Sequence, residues 1–297
     1  MSNKPRKMTL EKKHNLTGWA FLAPATFLIA VFSFWPMIKA LVLSFQTGKG
    51  RNMQMAGFTN YIRMFQDDVF IQSIKNTFFY FILQVPIMLV VAMVLACILN
   101  KKDLRFKGFF RTMIFLPCTT SLVAYSIIFR SLLANDGLVN YVLVNLGILD
   151  KPYNFLTQPF AAKIVIILAL LWRWTGYNMV FFLSGLQNIE YSVYEAAKID
   201  GASAIQTFFK ITVPLLKPTI LLTAIMSTNG TLQLFDESIN LTDGGPANAS
   251  ISMSHYIYNL CFKYVPNFGY AAAMSFFILL LVAVLAFIQM RVGDKRD

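Results

Sequence analysis

The side chains in this sequence that can do chemistry stand out because they interrupt long apolar stretches, where polar groups by default face a cavity or one another. They fall into three groups. The first is Thr119, Thr120 and Ser121, followed by Tyr125. The second is Trp172, Arg173, Trp174, Tyr177 and Asn178. The third is Thr228, Asn229, Thr231, Gln233, Asp236 and Glu237. Amides and carboxylates exchange hydrogen bonds with hydroxyl groups, and indole or phenol rings cover apolar C–H faces. That is the chemistry of non-covalent recognition. The same residue types also have a plainer use: Ser and Thr join helices in a bilayer, and Trp pairs mark its interface. An unpaired arginine at a membrane centre costs about 2.5–3.5 kcal/mol. Arg173 is therefore expected to meet a carboxylate, or carbonyls of a partner chain.

Covalent catalysis finds no foothold. There is no nucleophile elbow and no HExxH, and no GxxxxGK[ST] loop to cradle nucleotide phosphates. Cys97, Cys118 and Cys261 show neither CxxC nor Cys/His spacing, and His14 and His255 are isolated. No catalytic residue, metal site or disulfide framework is expected.

The elements that position these groups follow from composition. Of 297 residues, 57% are hydrophobic and 13% charged, against about 25% charged in ordinary soluble domains. A soluble surface this apolar would aggregate, whereas a bilayer solvates it. About 20 apolar residues cross the hydrocarbon as a helix. Six segments meet that length: Gly18–Phe45, Ile74–Leu99, Thr112–Leu133, Phe160–Leu186, Pro214–Phe235 and Gly269–Met290. Their Leu/Ile/Val/Phe runs lack the alternation of a β-barrel, so the expected fold is an all-α integral membrane domain. The first block is too long for a signal-peptide core and no clean cleavage site follows it, so it is expected to stay as a helix.

The net charge of +12 collects in short clusters between apolar blocks. Topology explains that pattern and nucleic-acid binding does not. Lys4, Arg6, Lys7, Lys12 and Lys13 precede the first block. Lys101, Lys102, Arg105, Lys107 and Arg111 follow the second. Lys198, Lys210 and Lys217 lie before the fifth, and Arg291, Lys295 and Arg296 after the sixth. The other connections are poorer, holding Lys49, Arg51, Arg63, Lys151 and Lys263, with Lys75 and Lys163 at their edges. By the positive-inside rule both termini are expected to be cytoplasmic, in a multi-pass membrane protein. Lys101–Arg111 mixes these cations with Leu104, Phe106, Phe109 and Phe110. It suits either a segment lying in the interface or an ordinary positive-inside loop.

The connection Gln187–Pro214 is far longer than the 2–8 residues usual between bundle helices. Apolar residues at helical spacing predict a short helix over Tyr191–Ile199, with Ser192 as N-cap and Glu195 completing a capping box. Gly201 permits a left-handed turn, and a second short helix is expected over Ala202–Lys210. The small Ala196 and Ala197 keep one face slim. Two short helices at a cytoplasmic bend make a knob suited to docking another protein.

Here the sequence resembles the permeases of binding-protein-dependent ABC importers. Their signature reads EAA, three residues, Gly, nine residues, Ile-x-Leu-Pro. This chain has Glu195-Ala196-Ala197, Gly201 and Ile211-Thr212-Val213-Pro214 at that spacing, with Val213 where Leu is usual. Leu241-Thr242-Asp243-Gly244-Gly245-Pro246 resembles the LTxGGP element of the maltose-permease-like, sugar-type branch, and the tail sequences look most like the arabino-oligosaccharide, lactose and raffinose group. The resemblance implies a six-transmembrane-helix permease fold whose cytoplasmic coupling helices dock on an ATPase. Glu195, Ala196, Ala197, Asp200, Gly201, Ile211 and Pro214 are its coupling residues. The implied domain runs over 18–292, with its coupling loop at 187–214 and cytoplasmic tails at 1–17 and 293–297. Implied partners are a second homologous permease, two ATPase subunits that bind the ATP, an extracellular sugar-binding protein and membrane lipid. No cofactor is expected in this chain.

The resemblance also implies a sugar site near Thr119–Leu122 and Gln233–Glu237. With the polar clusters, the candidate substrate residues are Thr119, Thr120, Tyr125, Tyr177, Asn229, Gln233, Asp236 and Glu237. Two alternatives stay open: a secondary transporter, which usually shows inverted repeats, and the same importer fold carrying glycerol-phosphate. A membrane-bound enzyme would need an interfacial constellation that the sequence lacks.

Overall fold

The computed structural model describes residues 9–49, 52–101 and 103–293. The cations Lys4, Arg6, Lys7, Arg51, Lys102, Lys295 and Arg296 lie outside the described residues, as do residues 1–8 and 294–297 of the two predicted tails. The first span is continuous: α1 (Leu10–Ile29) passes through a π-helical turn at Ala30–Phe34 into α2 (Trp35–Ser44). A hairpin of β1 (Gln46–Lys49) and β2 (Asn52–Met55) and a short helix, α3 (Thr59–Met64), lead to α4 (Asp68–Asn100). Next come α5 (Lys107–Thr119), α6 (Leu122–Leu132), α7 (Leu138–Asn145) and the long α8 (Pro159–Gln187). The knob comprises α9 (Tyr191–Ile199), α10 (Ala204–Thr207), a π turn at Phe208–Thr212 and α11 (Val213–Leu215). α12 (Lys217–Leu232), α13 (Asp236–Thr242), α14 (Met253–Tyr258), a third π turn at Asn259–Lys263 and α15 (Phe268–Gly293) complete the chain.

Among the described residues, four helices are long and apolar enough to cross a membrane, or up to six if each of two bent pairs is one span. The bent pairs correct two of the predicted spans. Thr112–Leu133 is not one straight helix, because α5 and α6 meet at 98°. Pro117 has no amide hydrogen to continue the ladder. Thr119 and Thr120 then turn their hydroxyls back onto the Leu116 and Pro117 carbonyls, at 2.8 and 2.7 Å, competing with the helix for those acceptors. The predicted Pro214–Phe235 span bends by 72° at Leu216, between Pro214 and Pro218, and ends at Leu232. Gln233–Phe235 therefore lies in a non-helical link before α13.

The knob carries a correction too. α9 begins and ends where expected, but Ser192 does not cap it. Glu190 occupies the N-cap position without a side-chain cap. The capping box belongs to the second helix: Ser203 Oγ accepts from the Gln206 amide at 3.2 Å, and Gln206 Oε1 accepts from the Ser203 amide at 2.8 Å. That helix starts at Ala204 and runs on through the π turn to Leu215. Gly201 sits at φ +75°, the conformation a Cβ disfavours.

Packing is organised around α4, whose length lies against α8. Ala92, Ala96, Met179, Phe182 and Leu216 form one buried cluster toward the knob. Tyr80, Ile166, Leu170, Leu234 and Leu241 form another at mid-height, and Phe70, Met253, Tyr270 and Met274 a third at the far end. α5 presses close on α8 at Gly176, where a Cβ would collide with the Ile114 carbonyl. Polar ties set the return of the chain after α13. Asn76 Nδ2 donates to the Asn248 and Ile251 carbonyls at 3.1 and 2.9 Å, and Tyr80 Oη to the Ser250 carbonyl at 2.9 Å. Losing such a partner in a buried setting costs about 1–3 kcal/mol. In contrast, the apolar window of the Leu10–Ser44 span buries none of its residues.

Candidate functional site

Where α12 stops at Leu232, the released chain folds across α4 and α8 and leaves a cavity of about 440 Å³. Gln84 and Met88 of α4, Arg173, Trp174, Tyr177 and Asn178 of α8, and Ser227, Thr231, Gln233, Phe235, Asp236 and Glu237 line it. The expected grouping of Tyr177, Gln233, Asp236 and Glu237 is thus met in space. Tyr177 stands between Trp174 and Phe181, with ring centroids 5.8 and 5.1 Å away. The lining therefore combines a row of aromatic rings on α8 with amides and carboxylates.

The remaining candidates are not at the wall. The Thr119 and Thr120 hydroxyls are used on their own helix. Asn229 accepts from the Gln233 side chain and does not itself line the cavity. Tyr125 lies buried beside Arg173, with the guanidinium 4.9 Å from its ring centroid. Its hydroxyl and the Glu237 carboxylate are electrostatic neighbours, yet by geometry neither Tyr125 Oη nor Glu237 Oε1 completes a hydrogen bond.

Arg173 takes neither of the partners expected for it. Its Nη1 donates to the Thr120 carbonyl at 3.0 Å, within this chain, and the plane also meets Trp174 at 5.4 Å. The α5–α6 break frees that carbonyl by ending the helix at Thr119. Nε is left without a partner. Arg173 and Glu237 feel each other electrostatically without an ion pair.

Sequence reading missed Gln84. It is an amide alone in the apolar run of α4, so the rule that found the other clusters applies to it, but a single residue made no cluster. Its Oε1 accepts from Thr231 Oγ1 at 2.8 Å, and its Nε2 meets Met88 Sδ at 3.0 Å. Asn178 Oδ1 similarly accepts from Ser227 at 3.2 Å.

A second feature is the knob. Glu195, Ala196, Asp200 and Gly201 are exposed together with Ile199, Ile205 and Phe209, whereas Ala197 is buried and does not face outward. Ile211 is half-buried and Pro214 exposed. Tyr194 Oη and Thr212 Oγ1 lie 3.4 Å apart and link the two arms of the knob.

Residues 68–296 match the family model described as binding-protein-dependent transport system inner membrane component. The chain belongs to that family, and so is a multi-pass transport component of an ABC importer, not an enzyme. Among relatives, the lactose transport system permease protein LacF of Rhizobium radiobacter is 51% identical, with 98% of each chain covered. The arabinooligosaccharides transport system permease protein AraP of Halalkalibacterium halodurans is 30% identical, over 96% of this chain and 90% of its own. Among solved structures, a chain of the bacterial alginate ABC transporter in complex with an alginate pentasaccharide-bound periplasmic protein superposes with a TM-score of 0.85. It is 25% identical and 98% of each chain is covered.

Proposed function

We propose that this chain is one permease subunit of an ATP-driven importer and forms half of the path for a sugar or oligosaccharide. The observation that carries this reading is the cavity. Trp174, Tyr177 and Phe181 line it together with Gln233, Asp236 and Glu237, a combination of aromatic rings and hydroxyl partners that matches a pyranose. The similarity to lactose and arabinooligosaccharide permeases supports the same substrate class. An extracellular binding protein delivers the sugar, as the neighbour crystallised with a periplasmic protein suggests. A second permease completes the path, and two ATPase subunits bind and hydrolyse ATP.

Coupling runs through the knob. Glu195, Ala196, Asp200 and Gly201 present the docking face, and Ile211 and Pro214 anchor it to α12. Movement of the knob reaches the cavity because α12 begins at Lys217, just past Leu216, and ends at Leu232. In this arrangement the knob and both termini are cytoplasmic.

Glycerol-phosphate fits less well. Arg173 is the one cation among the described residues of the cavity wall, and it is tied to the Thr120 carbonyl, while Asp236 and Glu237 repel a phosphate. A secondary transporter is disfavoured by membership of a binding-protein-dependent family. The test is uptake of a panel of radiolabelled sugars, lactose first, into liposomes bearing the full complex with ATP inside and binding protein outside. ATP-dependent accumulation supports the reading. No accumulation of any sugar, with a folded complex, rejects it.

A further inference from the structure

We propose that Phe235, Tyr258 and Phe262 form an aromatic ladder along which a sugar ring passes between the outer mouth and the cavity. The proposal rests on the sugar-importer reading and adds a binding surface outside the cavity. Phe235 lines the cavity itself. Its ring centroid lies 5.1 Å from that of Tyr258, and Tyr258 lies 5.3 Å from Phe262. Exposure rises along the row: Phe235 is half-buried, Tyr258 is 37% exposed and Phe262 72%. The row therefore starts inside the site and ends in the open. Tyr256 and Leu260, on either side of Tyr258, pack with Phe70 near the start of α4, whereas Leu99 near the end of α4 packs with Phe208 of the knob, so the open end of the ladder is on the side away from the knob.

Local structure holds the rings in line. Tyr258 ends α14, and the chain then takes a π-helical turn over Asn259–Lys263, in which the Tyr264 amide donates to the Asn259 carbonyl at 2.8 Å. Such widened turns are often found at functional sites. The mouth also carries hydroxyl partners. Lys263, next to Phe262, holds the exposed Asp243 carboxylate at 3.0 and 3.1 Å. A pyranose offers a C–H face to ring faces, which carry negative charge density, and hydroxyls to that ion pair. Successive rings about 5 Å apart let one contact form before the last is released.

An interfacial anchor is the rival use of exposed aromatic residues. It needs bulk and amphipathic character and no passage of substrate. The test uses the complete complex in liposomes with lactose as probe. It compares wild type with Tyr258→Leu, Phe262→Leu and Phe262→Tyr, reading lactose taken up per ATP hydrolysed at saturating binding protein. The ladder predicts about a fivefold or greater fall in lactose per ATP for both Leu variants, with normal subunit co-purification and ATP hydrolysis, and near-normal transport for Phe262→Tyr. Unchanged lactose per ATP in the Leu variants overturns the proposal. So does loss of assembly in them, or a Tyr variant no better than Leu. A wild-type complex that accumulates no sugar rejects the importer reading itself, and the ladder with it.

Discussion

Thr231 donates its hydroxyl to Gln84 Oε1 at 2.8 Å, joining the last turn of α12 to the middle of α4 at the cavity wall. Both side chains are buried. Replacing Gln84 with Leu leaves the Thr231 hydroxyl without its partner, at a cost of about 1–3 kcal/mol. The expected result is a lower melting temperature of the detergent-solubilised complex and a raised KM for uptake. Thr231→Val in the same background should add little further loss, since the two act as one pair. Additive losses in a double-mutant cycle would break the link.

On the proposed reading, Gln233 and Asp236, which line the cavity, meet sugar hydroxyls there. Gln233→Ala and Asp236→Ala should each cut uptake severalfold, because hydroxyls carried into the cavity lose their partners. Neither side chain is fully buried, so the complex should still assemble. Normal uptake in both variants would move the sugar elsewhere.

Asp67 caps α4 and accepts from the Tyr256 and Tyr270 hydroxyls, each at 2.7 Å. Partial burial works against its charge, but these bonds and those from the Phe70 and Val69 amides outweigh it and hold the carboxyl below its usual range. A depressed folded pKa means that the contribution is present above the unfolded value, near 3.8. It fades as pH falls through the folded value. Asp67→Asn should therefore lower the melting temperature at pH 6 and narrow the gap to wild type below pH 4. An equal gap at both pH values would contradict this.

His255 behaves in the opposite chemical sense. Burial pushes its imidazole down to about 4; the nearby Asp243 opposes that shift and Lys263 adds to it. Its Nδ1 lies 2.9 Å from Ser238 Oγ. The folded state resists protonating this ring, so stability should be full above about pH 6.5 and decline from there toward pH 4. His255→Gln keeps a polar side chain but removes the titration. Melting curves of the variant should be flatter with pH across that window, and a variant as pH-sensitive as wild type would assign the decline elsewhere.

Much of this was legible in the sequence because it depends on local pattern. α9 spans the predicted Tyr191–Ile199, and Gly201 adopts the turn its lack of a Cβ permits. The α5–α6 break was not foreseen, although Pro117 and the Thr119–Ser121 run were in view. Hydropathy counts residues and is blind to hydroxyls that take a helix's own acceptors. Arg173 found its partner 53 residues away in the carbonyl which that break releases, a contact no local pattern encodes. Gln84 escaped for a related reason, since its partner lies on another helix. Spacing alone points to Ser192 as a cap, whereas the capping box forms on Ser203 and Gln206.

On the proposed reading, the knob couples ATP hydrolysis to movement of sugar through this chain. The most direct measurement is ATP-driven lactose accumulation in liposomes carrying the whole complex, for wild type and Gly201→Val. A β-branched residue at φ +75° is strained, and the knob lies away from the cavity. The variant should still assemble its two permease subunits but lose ATPase attachment or uncouple it, so that accumulation falls at least tenfold. A Gly201→Val complex that retains the ATPase and accumulates lactose at the wild-type rate would contradict it.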